Sequence, residues 1–192
     1  MKSAVIVVDM HKDAFNGPAD HPTIKDFRSI VPRIRDLVAE SRSLGGLIVY
    51  TQDSYLANDF LFTGRMKPHA VRGTIGEQLI DDLDVQTGDI VLPKRRFSAF
   101  FRTDLDMTLR VYGIDTIAVC GLVTEVCVLA TALDGLCNDF STVIISDCCT
   151  SRRREDHEAA ISIYSHFPTY PTLRVRTAEA FINEVRANRV LD

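Results

Sequence analysis

The chain reads as an α/β protein, a three-layer α/β/α sandwich built on a six-stranded, mostly parallel sheet of the Rossmann-like kind. Three observations predict this. Short runs rich in Val and Ile recur along the chain and are nearly free of charge, as strands covered on both faces should be. Longer stretches of helical period separate them. The length, 192 residues, suits one domain that buries a full core without disulfides or a metal staple. The expected organisation is therefore a single domain over residues 1–192.

The strands are expected at residues 4–8, 47–51, 89–92, 116–120, 142–146 and 173–176. The first helix is expected at 30–44. Ile34, Leu37, Val38 and Leu44 fall on one stripe, Pro32 suits a first turn, and Gly45-Gly46 ends it. The second should begin at Thr74, because Thr74 and Glu77 have the spacing of a capping box ahead of Leu79, Ile80 and Leu83. A third spans 103–112 and stops at Gly113, and a fourth, 125–138, follows Thr124 as its N-cap. The fifth and sixth, 154–166 and 178–188, rest on apolar periodicity. Residues 16–27 and 53–73, rich in Pro, Gly, Asp and His, are too long for plain connectors and read as loops that carry function.

Composition narrows the function. A net charge of −4, with basic runs only three residues long, gives no footprint for a phosphate backbone and argues against nucleic acid as a partner. No apolar run approaches the roughly 20 residues of a membrane span, so no membrane partner is expected. The opening MKSAVIVVDM lacks a long apolar stretch and a cleavage site and reads as a first strand. Five cysteines, an odd number with no CxxC, suit reduced thiols, so a cytoplasmic protein is expected.

In an open parallel sheet, ligands bind beyond the carboxyl ends of the strands. Asp9 follows the first strand, Asp53 the second, Lys94 the third, and GLVTEVC, ending in Cys127, the fourth. With Thr124 as N-cap, Cys127 occupies the third helical position, where free N–H groups and the macrodipole favour an anion. Lys94 should lower the thiol pKa further, and Asp9 should hold the lysine and accept the thiol proton. Backbone N–H groups of Val123 and Cys127 suit an oxyanion hole, an effect worth roughly 3–4 kcal/mol per donor. Each signal alone is ordinary: a free cysteine is commonly core filler, as Cys120 in a strand, Cys137 late in a helix, and Cys148 and Cys149 in a turn are expected to be. Lys94 opens a triplet, Lys94-Arg95-Arg96, of the kind that is usually a solvated face.

Taken together, VIVVDM, LPKRRFSAF and GLVTEVCV resemble, in order, the three signature blocks of the isochorismatase-like cysteine hydrolases, of which nicotinamidases are the best known. HAVRGT at 69–74 and SDCCTS-x-x-x-x-DHEAAI at 146–161 extend the resemblance over nearly the whole chain. The resemblance implies the fold of that group and a nucleophile at Cys127, a base at Asp9 and a positioning cation at Lys94. It further implies a non-proline cis peptide at Leu122–Val123 and hydrolysis of a C–N bond in a small amide through a thioester. Phe15, Tyr55 and Leu122 are implied as substrate-pocket residues; Ala14 stands where the family has an aromatic, with Phe15 one place later.

Nicotinamidases resemble one another in a metal site of one Asp and two or three His. Asp53 and His69 match two of its ligand positions, Tyr55 replaces the intervening His, and Asp59 is the alternative third ligand. The chemistry itself requires no cofactor, and a divalent metal such as zinc stays an open addition. The alternatives are an N-carbamoyl or ureido amidohydrolase working without metal, vinyl-ether hydrolysis as in isochorismatase, and a non-catalytic binding protein on the same fold. A small-molecule amide is the expected partner, and the resemblance implies a homo-oligomer, dimer or tetramer.

Overall fold

A computed structural model describes residues 1–189. The six strands, β1 (Ser3–Val8), β2 (Leu47–Asp53), β3 (Ile90–Lys94), β4 (Thr116–Leu122), β5 (Ser141–Thr150) and β6 (Leu173–Arg176), form one sheet in the order β3-β2-β1-β4-β5-β6. Every neighbouring pair is parallel. The order reverses between β1 and β4, so a crevice opens there beyond the strand ends. Burial explains the composition of β1: all five residues from Ala4 to Val8 are fully buried, and only an uncharged, β-branched run tolerates both faces being covered.

Among the described residues five α-helices flank the sheet: α1 (Pro22–Ser43), α2 (Leu105–Val111), α3 (Leu129–Cys137), α4 (Arg154–Ser165) and α5 (Ala178–Arg189). Right-handed crossovers running in opposite directions from the β1/β4 junction put α1 on one face and α3 and α4 on the other. α5 packs against α1.

Four elements depart from expectation. α1 starts eight residues early, with Pro22 in its first turn and Pro32 inside it. Its buried stripe begins at Ile24 and Phe27, so much of the segment read as a loop is helix. The stretch 74–83 forms no α-helix. The Thr74 hydroxyl donates to the Val71 carbonyl, and the Glu77 carboxylate accepts from Gly73 N–H. Only short 3-10 turns at Ile75–Glu77 and Asp81–Leu83 follow. The backbone between them is already committed: Lys12 N–H donates to the Gln78 carbonyl and Ile80 N–H to the Met10 carbonyl, pairing this segment with the chain after β1. β5 extends to Thr150, so Cys148 and Cys149 lie in a strand rather than a turn. The fourth helix opens with a π-helical turn, Thr124–Val128, before α3 begins.

Candidate active site

Asp9, the first residue beyond β1, has a left-handed backbone, φ 54°. Its N–H donates to the Thr51 carbonyl at 3.1 Å, and its Oδ1 accepts from the Thr51 hydroxyl at 2.9 Å. Next to it, Gly121 holds φ 109° at the end of β4, where any Cβ would collide with the backbone of Val8. A glycine here lets β4 close against β1. Lys94 ends β3 in register with Asp53 on β2.

These strand ends deliver their side chains to one point. The Lys94 ammonium, 2% exposed, lies 2.7 Å from Asp9 Oδ2 and 2.7 Å from Asp53 Oδ1. It also donates to the Arg96 carbonyl at 3.0 Å and stands 3.8 Å from Cys127 Sγ. The approach to Asp9 Oδ2 is off the hydrogen-bond axis, which leaves that oxygen without an aligned donor. Carboxylate oxygens of Asp9 and Asp53 and the Cys127 sulfur lie within 4.8 Å of one another. Acid, amine and sulfur, 118 positions apart from first to last, therefore meet as the sequence predicts.

Electrostatics corrects one expectation. Burial raises the Cys127 thiol well above its ordinary pKa; Lys94 opposes this, and Asp9 and Asp53 add to it. The single ammonium is shared by two carboxylates, which weakens its pull on the thiol. Burial and the neighbouring Asp53 push the Asp9 carboxyl up to about 6, against the pull of Lys94. Lys94 stays protonated: burial disfavours its charge, yet Asp9, Cys127 and Asp53 hold its pKa above the usual lysine value.

Thr124 is not an N-cap. Its hydroxyl, fully buried, hydrogen-bonds His157 Nδ1 at 2.8 Å, tying the turn that carries Cys127 to α4. Val123 takes the flanking position, and its carbonyl accepts from the N–H groups of Val126 and Val128. The Glu125 carboxylate is held by the Ser151 hydroxyl. The Leu122–Val123 peptide is cis, as the resemblance implied.

The polar cluster sits in a cavity of about 510 Å³ lined by Asp9, Asp53 and Cys127 together with Tyr55, His69 and Leu122. Val123 also lines it. Phe15 does not: it is buried edge-on to Phe27, and Ala14 and Phe27 take the wall instead. Asp59 is no ligand either. Its two oxygens accept from Arg95 at 2.7 and 3.1 Å and from Arg96 at 3.2 Å, so the basic triplet is pinned rather than a solvated face.

His11 went unrecognised in the sequence. It groups with Asp53 and His69, with potential ligand atoms within 4.8 Å of one another. Its only signal was its place two residues after Asp9. The donor set nevertheless does not fit a divalent ion. Burial lowers His11 to about 4, so the ring is neutral. Its Nδ1 accepts from Ala14 N–H at 3.2 Å, which assigns the ring proton to Nε2, the nitrogen facing Asp53 at 3.9 Å. An N–H group points inward where a metal needs a lone pair. His69 Nδ1 hydrogen-bonds the Lys67 carbonyl and so leaves a free Nε2, but burial keeps the Tyr55 phenol protonated. One imidazole and one carboxylate oxygen remain, short of the three or four ligands zinc takes.

Residues 3–174 match the Isochorismatase domain family. A ureidoacrylate amidohydrolase of Klebsiella pneumoniae is 33% identical over 171 residues, covering 76% of this chain and 72% of that protein. An isochorismatase-like hydrolase from Alkaliphilus metalliredigens superposes with a TM-score of 0.85 at 32% identity, covering 96% of this chain and 99% of that one. A nicotinamidase from Bacillus subtilis gives a TM-score of 0.75 at 30% identity, over 86% and 96% of the two chains.

Proposed function

Because this chain belongs to the isochorismatase family of hydrolases, we propose that it cleaves a C–N bond of a small amide with Cys127 as nucleophile, Asp9 as base and Lys94 as the cation between them. What supports this above all is the Lys94 ammonium, 2.7 Å from the acid and 3.8 Å from the sulfur in a buried pocket. The resting thiol is protonated. At neutral pH Asp9 is ionised, and its Oδ2, lacking an aligned donor, takes the thiol proton as Sγ attacks the carbonyl carbon. Lys94 holds the charge of Asp9 in place while the proton moves. N–H groups of Val123 and Cys127 receive the developing oxyanion. The C–N bond then breaks, the amine leaves with the proton from Asp9, and water activated by Asp9 releases the acid and restores the thiol.

Two amides fit the reading. Nicotinamide is the substrate of the structural neighbour from B. subtilis. A carbamoyl or ureido compound is favoured by a particular observation: His11 and Tyr55 offer N–H and O–H groups where a metal-assisted site needs lone pairs. The test is ammonia release from nicotinamide and from N-carbamoyl amino acids, with and without chelator. Turnover of the carbamoyl compounds that resists chelator is expected; chelator-sensitive turnover of nicotinamide alone rejects the second reading. Since Asp9 is protonated below about 6, the rate should fall on an acid limb with its midpoint near that pH. A flat profile from pH 8 to pH 5 removes Asp9 from the role.

A further inference from the structure

Charge is distributed unevenly with depth in the cavity. Below, each acid is engaged: Asp9 and Asp53 flank Lys94, and Asp13 Oδ2 accepts from Ala70 N–H at 2.8 Å. Arg65, Lys67 and Arg152 also line the cavity, and all three are exposed. Among the described residues none of the three forms an ion pair, whereas nearby Arg95 and Arg96 are both held by Asp59. Arg65 and Lys67 come from the 54–73 loop and Arg152 from the turn after β5, so distant segments bring like charge together in a chain whose net charge is −4. Phe97 and Val126 add apolar lining to the same cavity, and the carboxylates that line it, Asp9, Asp13 and Asp53, are the ones already engaged.

We infer that the substrate carries a carboxylate on the end remote from its scissile amide, and that Arg65, Lys67 and Arg152 select for it. The inference rests on the reading of Cys127 as nucleophile, since it is the sulfur that fixes where the amide lies. Guanidinium groups match a carboxylate with paired N–H donors, and uncompensated cations around a low-dielectric cavity concentrate anions within it. An N-carbamoyl or N-acyl amino acid has this layout. Nicotinamide, which is uncharged, lacks it.

Two alkylating agents that differ only in charge test the inference without knowledge of the substrate. Iodoacetate is a carboxylate and iodoacetamide is neutral; Cys137, exposed on α3, is the reference thiol in the same molecule. Rates at each cysteine are followed by peptide mass spectrometry. The iodoacetate-to-iodoacetamide ratio should be roughly tenfold higher at Cys127 than at Cys137 at low salt. It should fall toward the Cys137 value in an Arg65→Gln, Lys67→Gln, Arg152→Gln variant, and also as added salt screens the field. Equal ratios at the two cysteines, or a ratio indifferent to the triple substitution, overturn the inference while leaving the hydrolase reading intact. A Cys127 that reacts with neither agent removes the nucleophile reading, and this inference with it.

Discussion

The floor and the wall of the cavity are built on different terms. On the floor, Lys94 is sealed from solvent between two carboxylates and a carbonyl, each supplied by the end of a strand or the turn beyond it. The wall from residues 54–73 contributes exposed Arg65 and Lys67, with no ionic partner among the described residues. A buried charge is tolerated only with its partners in place, so the floor resists change. Solvated charges can vary without penalty to the fold. On the reading proposed above, the contrast separates the reaction, carried by the sheet, from the choice of substrate, carried by the loop.

The sharpest way to break this contrast is Lys94→Met. It leaves two buried carboxylates facing each other, and should abolish turnover and lower unfolding stability by about 3–5 kcal/mol in urea titrations. A loss below 1 kcal/mol means the floor is not a closed ionic unit. Cys127→Ala comes next: turnover should vanish, with the unfolding midpoint nearly unmoved because little volume is removed. Residual ammonia release above background sinks the nucleophile. His157→Ala orphans the buried Thr124 hydroxyl at a cost of about 1–3 kcal/mol. Through the turn that carries Cys127 it should lower kcat more than it raises KM. His157→Asn, which puts an amide near the Nδ1 position, should recover much of the loss, and failure of that rescue makes the contact merely structural. At the mild end, Arg65→Gln should leave stability within about 0.5 kcal/mol by thermal melting. A larger drop places Arg65 in the fold rather than the wall.

The sequence made the strands and the meeting of Asp9, Lys94 and Cys127 legible for one reason: residues just past parallel strands share a rim wherever the helices lie. Pairings set by register were hidden. That Asp53 faces Lys94 follows from the β2/β3 alignment, which no local pattern encodes, so Asp53 looked like a ligand rather than half of an ionic clamp. The same blindness misread Asp59 and the Arg95-Arg96 pair, which find each other across 36 positions. The capping box at Thr74 failed because backbone pairing with Met10 and Lys12 outcompeted a helix. Local propensity was overruled by a contact more than 60 residues away in the chain.

The close approach at Gly121 bears on the reaction itself. Asp9 and Lys94 belong to the β3-β2-β1 side of the sheet, and Cys127 to the β4-β5-β6 side. On the mechanism proposed above, the proton travels across a seam between two half-sheets, and the width of that seam at its upper end is held by a residue with no side chain. Widening it by a single methyl group would separate donor from acceptor while every reactive group stayed chemically whole.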